Sequence, residues 1–204
     1  MTLLEDGRYS PSEAARLANL PVSTARRWLR RGPATPENAS FLDLVELVMV
    51  REIRRSTGLN ARSIRSHLSE AERLLGTSHA LARRRFLADG KHLFVGLSEG
   101  GPFVELGTNG QVQLEKILVD RAKTLDFSED LACRWFPMGR DRGVVIDPAV
   151  GWGSPVVAGT RVLTRTLAGA VRAEDGDFEK VAAQYELSPN QVRAAVVFEG
   201  LLAA

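Results

Sequence analysis

Four arginines, Arg26, Arg27, Arg30 and Arg31, fall within two helical turns, with Ser23 and Thr24 just ahead of them. An arginine fork can grip a guanine edge or a phosphate through two parallel hydrogen bonds. Hydroxyls at the start of a helix can reach the phosphate backbone. The six residues are therefore a candidate DNA-binding face. The competing reading is a solvated helix face, the usual fate of a charge run. A second, weaker grouping is Thr160, Arg161 and Arg165. A hydroxyl and two guanidiniums there can tie the carbonyls of their own turn, or meet the carboxylates of a protein partner. Arg134, Arg140 and Arg142 are equal rivals for that role.

Catalysis has less to build on. The chain holds three histidines, His67, His79 and His92, and one cysteine, Cys133. His67 and His79 have no partner at metal-ligand spacing and read as ordinary surface or core histidines. No nucleophile with a base, and no carboxylate pair at a diagnostic spacing, is visible. Gly96, Gly100, Gly101 and Gly107 fit no phosphate-cradling loop. The expectation is a protein without catalytic residues, metal or cofactor. A single cysteine excludes an internal disulfide framework, and no apolar run is long enough to span a bilayer. The N-terminus does not read as a secretory signal, so a cytoplasmic protein is expected.

The arginine group needs a helix under it. Ser10-Pro11-Ser12-Glu13 combines a capping serine, a proline at the first helical position and a glutamate placed to complete a capping box. Ala14, Ala15, Leu17 and Ala18 continue a short helix, which Asn19-Leu20-Pro21 ends. A second helix follows, from Val22 or Ser23 to about residue 31, with Trp28 and Leu29 on its core side. Two short helices joined by a tight turn form a helix-turn-helix candidate. Ser40 to Asp43 caps a long apolar helix that ends in Arg54, Arg55 and Gly58. Asn60 can cap the next, which carries Ile64, Leu68, Ala71 and Leu75. Arg62, Arg65 and Arg73 on it read as a solvated face or as phosphate contacts.

From residue 86 the pattern changes. Asp89-Gly90 is a hairpin signal between two short apolar runs. Residues 103–106 can add a strand, and Asn109-Gly110 is a second turn. Residues 111–123 read as a helix and 132–136 as a strand. Asp126, Glu129 and Asp130 read as an acidic loop, or as a contact for a basic partner. Near the C-terminus, residues 144–147 form a β-branched strand, and three helices follow. Thr164 can cap the first, and Ser188-Pro189-Asn190-Gln191 is a capping box for the last. The fold class is therefore α+β, mainly α. It divides into a winged helix-turn-helix at 1–85, a small antiparallel β/α module at 86–143 and a trihelical domain at 144–204.

Charge follows the same division. Residues 1–85 hold fifteen arginines, no lysine and nine carboxylates, a net +6, and residues 86–204 carry −4. The overall +2 is thus a sum over unlike halves, and the basic half is the one suited to nucleic acid. Chance, with a codon bias towards arginine, is the bland alternative.

Residues 9–32, YSPSEAARLANLPVSTARRWLRRG, resemble the start of MerR-type winged helix-turn-helix domains. In place of that family's short hairpin wing stands a Pro- and Asn-containing stretch, residues 32–40. Asp147, Pro148, Gly153, Pro155, Val156, Gly159, Thr160, Arg161, Tyr185, Leu187 and Ser188 closely resemble the pattern of a bacterial domain of unknown function, DUF433, found in VapB-type antitoxins. The resemblance implies a PIN-like ribonuclease toxin as partner and operator DNA as target. Paired half-sites would then require a homodimer. The expected function is an antitoxin that neutralises its toxin and represses its own operon. The alternatives are a MerR-like regulator that senses a ligand or protein without any toxin, and an adaptor whose basic start only solvates.

Overall fold

The computed structural model describes residues 3–30, 37–84, 86–89, 92–96, 103–107, 111–112 and 124–203. The protein is α+β and mainly α. Among the described residues it has seven α-helices and two four-stranded sheets. By internal contacts it divides into two units. One holds residues 5–121 and 127–132; the other holds residues 1–4, 122–126 and 133–204.

In the first unit, α1 (Pro11–Leu17) and α2 (Val22–Leu29) form the expected pair. Ser10 Oγ accepts from Glu13 N at 3.2 Å, so the cap forms. The turn between the helices places Asn19 at φ 50°, a left-handed conformation that asparagine tolerates. Central to the unit is α3 (Phe41–Thr57), buried nearly all round from Phe41 to Val50. Its start is a full capping box: Ser40 Oγ accepts from Asp43 N at 3.1 Å, and Asp43 Oδ2 accepts from Ser40 N at 2.9 Å. Gly58 closes it at φ 68°. Asn60 caps α4 (Ala61–Leu75), and a short 3₁₀ turn, Ala80–Ala82, brings the chain back against α3.

The first sheet runs β1 (Phe86–Asp89), β2 (His92–Gly96), β3 (Phe103–Glu105), β4 (Gln111–Val112), each antiparallel to the next. The hairpin expected at Asp89 thus forms, although Gly90 itself lies outside the described residues. So do Asn109, Gly110 and residues 113–123 of the expected helix. At its start that expectation is corrected: Gln111 and Val112 pair with Val104 and Phe103. A neighbouring strand with open amides and carbonyls decides the local structure over a weak helical pattern.

The second sheet runs β5 (Leu125–Ser128), β6 (Leu131–Trp135), β7 (Val144–Ile146), β8 (Pro155–Val157). The acidic loop expected at 126–130 is instead strand and tight turn, and two of its three carboxylates are engaged within the chain. Asp126 pairs with Arg134 and Arg140, and Asp130 with Arg83 at 3.0 Å.

Three helices end the chain: α5 (Thr164–Ala173), α6 (Phe178–Gln184) and α7 (Pro189–Ala203). Their shared core with β8 is Val157, Leu167, Val171, Val181, Ala182, Val192 and Ala195. Ser188 and Gln191 form the expected box, with Ser188 N donating to Gln191 Oε1 at 2.9 Å and Gln191 N to Ser188 Oγ at 3.3 Å. Thr164 differs from expectation. It is the first residue inside α5 and fully buried, its hydroxyl bonded to Pro155 O and Glu199 rather than capping the helix.

Candidate nucleic-acid interface and C-terminal cavity

Burial sorts the side chains of α2. Ala25, Trp28 and Leu29 face inward. Ser23, Arg26, Arg27 and Arg30 are exposed and spaced by three or four residues, so they share one helix face. All four line one shallow depression of about 330 Å³. Among the described residues neither Arg26 nor Arg27 has a carboxylate partner. Thr24, also expected here, is half-buried and does not line the depression. The helix ends earlier than expected: Arg30 has extended geometry, with φ −69° and ψ 105°. Arg31 lies outside the described residues, as do residues 32–36 of the expected wing.

Arg65, on α4, meets α2 from its inner side. Its guanidinium lies 4.6 Å over the Trp28 ring and donates to the main-chain oxygen of Arg27. Burial, then the neighbouring charge of Arg27, holds its pKa below the usual arginine range. Spacing along one helix cannot reveal this, because Arg65 comes from another helix. The contact also braces the inner side of α2. Arg51, on α3, donates to Ala18 O at 3.0 Å and fixes the turn before α2. The backbone of α2 is thus held from behind, and its guanidiniums are open to water, suited to forked contacts with phosphates or base edges.

The second grouping behaves differently. Thr160 is a turn builder: its hydroxyl donates to Val157 O at 2.9 Å and accepts from Val162 N at 3.1 Å. Gly159 beside it sits at φ 79°, where a side chain would be strained. Arg161 is exposed, without a carboxylate partner among the described residues. It lines a cavity of about 370 Å³ with Thr160, Arg134 and Asp147. Arg165 is exposed too, but does not line that cavity. The buried Asp147 carboxylate accepts from Arg134 Nε and from Ala149 N, both at 2.8 Å.

Residues 144–198 match the model of a family of unknown function, DUF433. Asp147, the Gly159 turn and the three final helices all lie within that match. Over 92% of its length the chain is 26% identical to 92% of a Mycobacterium tuberculosis (strain ATCC 25618 / H37Rv) protein named "Putative antitoxin VapB45". The crystal structure of Rv2018 from Mycobacterium tuberculosis shares the fold, with a TM-score of 0.66 and 22% identity. That similarity covers 95% of this chain and 99% of the other.

One residue passed over in the sequence stands out beside these. Trp152 sits in the turn Gly151–Gly153 at φ 57° and is 83% exposed, more than any other large apolar side chain among the described residues. Positive φ is uncommon outside glycine, and a bulky residue held there is conformationally costly. Only its exposure could have marked it, and exposure is not written in the sequence. No described helix is long and apolar enough to cross a membrane.

Proposed function

We propose that the protein is the antitoxin of a type II toxin–antitoxin pair. It binds operator DNA through Ser23, Arg26 and Arg27 of α2 and through Arg30 and Arg31, the next residues of the chain. It acts as a homodimer on paired half-sites and represses its own operon. Its other partner is a PIN-like ribonuclease toxin, which it neutralises stoichiometrically without catalysis or cofactor, in the cytoplasm. The observation that carries the DNA half is the single depression lined by Ser23 and three exposed arginines. The antitoxin half rests on the similarity to VapB45, which runs through both units. In the C-terminal unit the features that suit a protein partner are Arg161 at the cavity edge and the exposed Trp152. Exposed tryptophan and arginine are the residue types most often dominant in protein interfaces.

The test is co-expression with the product of the adjacent reading frame, followed by pull-down and a gel shift on the upstream DNA. Co-purification, restored growth and a salt-sensitive shift support the reading. A toxic neighbour that neither co-purifies nor is silenced would sink the antitoxin assignment. A second reading is favoured by the cavity of about 370 Å³ with the exposed Arg161 in its lining. In it the protein is a regulator whose C-terminal unit senses an anionic ligand, and a ligand-dependent melting shift in the absence of any toxic neighbour would select it.

A further inference from the structure

Asp43 and Glu46 are one helical turn apart on α3, and so share a face. His79, thirty-three residues beyond Glu46, precedes the 3₁₀ turn that packs on α3. The three meet. Asp43 Oδ1 lies 4.0 Å and Glu46 Oε2 3.7 Å from the same atom, His79 Nδ1. All three ligand atoms lie within 4.8 Å of one another.

These separations exceed a hydrogen bond, and one imidazole nitrogen can donate only one proton. Two carboxylate oxygens that face it at near-equal spacing are arranged as donors around a common centre. Bonds of about 2.0–2.2 Å from a divalent ion to nitrogen and oxygen ligands give donor–donor edges of roughly 3.3–3.6 Å. The two edges to His79 exceed that size by a few tenths of an ångström, while the edge between the carboxylates, within 4.8 Å, closes to it by rotation of the two side chains. The other oxygen of each carboxylate is already fixed. Asp43 Oδ2 accepts from Ser40 N and Ser40 Oγ, at 2.9 and 2.8 Å, and Glu46 Oε1 accepts from Leu81 N at 3.3 Å. Such outer bonds orient carboxylate ligands in metal sites.

An independent observation points to a ligand in the cavity that the two carboxylates line. Asp43 and Glu46 open onto a cavity of about 360 Å³ whose wall includes Trp28. Trp28 is only 9% exposed, and its indole Nε1 is buried without an acceptor among the described residues. Three protein donors beside a cavity leave coordination positions for water or an anion. A metal-bound oxygen there is the type of acceptor the indole N–H lacks.

We propose that Asp43, Glu46 and His79 form a site for a divalent first-row transition-metal ion, open on its cavity side. One imidazole and two carboxylates suit zinc or manganese better than a thiolate-seeking ion. The ion would staple α3 to the segment that follows α4.

Calorimetric titration of the untagged full chain with Zn²⁺ alone tests this. One equivalent should bind. His79→Gln and Glu46→Gln should each weaken binding by at least about 10–100-fold, while His67→Gln and His92→Gln leave it unchanged. Gln at 46 keeps an acceptor for Leu81 N. If that variant fails to fold, His79→Gln, at the rim of the core, decides. At about 100 times the dissociation constant, Zn²⁺ should raise the melting temperature by roughly 5–10 °C, and this shift should vanish in His79→Gln. No saturable binding, or binding unchanged by His79→Gln, would overturn the site.

Discussion

The molecule builds a short helix, a tight turn and a second helix twice, and then treats the two second helices in opposite ways. In α1–α2 the exposed face of the second helix carries Arg26 and Arg27, with Arg30 just past its end, and the first two have no carboxylate partner among the described residues. In α6–α7 the corresponding cation, Arg193, is held by Glu179 at 3.0 Å and lies 5.2 Å over the Phe178 ring. Lys180 is likewise tied to Glu174, whose carboxylate raises its pKa above the ordinary lysine value. Residues 173–204 carry a net charge of −4. Helix geometry alone therefore does not decide how such a pair presents its charge. What separates the two pairs is whether the cations of the second helix face water or face the chain's own carboxylates.

The sharpest way to break that contrast is to remove the open cations. Arg26→Ala with Arg27→Ala should weaken operator binding by about 2–4 kcal/mol, since one forked base contact is worth roughly 1–3 kcal/mol. Fluorescence anisotropy at fixed salt measures it. The matching double substitution, Lys180→Ala with Arg193→Ala, should leave DNA affinity within about twofold. Equal losses from both would mean that the two helix pairs contribute alike, and the contrast would fail.

A smaller effect separates the capping boxes of the two units. Ser40 and Ser188 make the same reciprocal bonds, but Ser40 is buried and Ser188 is exposed. Loss of a serine cap costs about 0.5–2 kcal/mol. Ser40→Ala should fall at the upper end, because water cannot replace the bond to the Asp43 amide. Ser188→Ala should fall at the lower end. Urea titration reads both, and equal costs would show that burial does not set the strength of these caps.

Those boxes also show what the sequence makes legible. Ser40 with Asp43, Asn60, Gly58, and Ser188 with Gln191 act within one turn of chain, so residue type and spacing suffice to see them. The α2 face was legible for the same reason: one helical period separates its exposed arginines from Trp28 and Leu29. Features built from distant segments were not. Gln111 and Val112 are strand only because β3 offers them partners. Asp126 looked like a free acid in a loop until Arg134 and Arg140 met it. Arg65 reached the inner side of α2 from another helix. His79 looked solitary because its neighbours, Asp43 and Glu46, lie more than thirty residues earlier.

The smallest effect tests the closed half of the contrast directly. The Arg193–Glu179 pair has half-exposed and mostly exposed partners, so water and salt screen it, and ordering two long side chains costs entropy. A double-mutant cycle with Arg193→Ala and Glu179→Ala should give a coupling of about 0.2–1 kcal/mol at low salt. At about 1 M salt, where the Debye length shrinks to about 3 Å, it should fall towards zero. The stacking of Arg193 over Phe178 is less sensitive to salt, so some of the cost of Arg193→Ala alone should survive screening. A pair this weak adds little to stability. Its consequence is electrostatic: it cancels the one arginine that α7 would otherwise present. If Glu179→Ala leaves the fold intact and the C-terminal unit then gains salt-sensitive affinity for DNA, pairing, rather than shape, is what keeps that unit from behaving like α2. If affinity does not rise, the remaining carboxylates of residues 173–204 suffice to repel the phosphate backbone, and the difference between the two units lies in net charge rather than in a single bond.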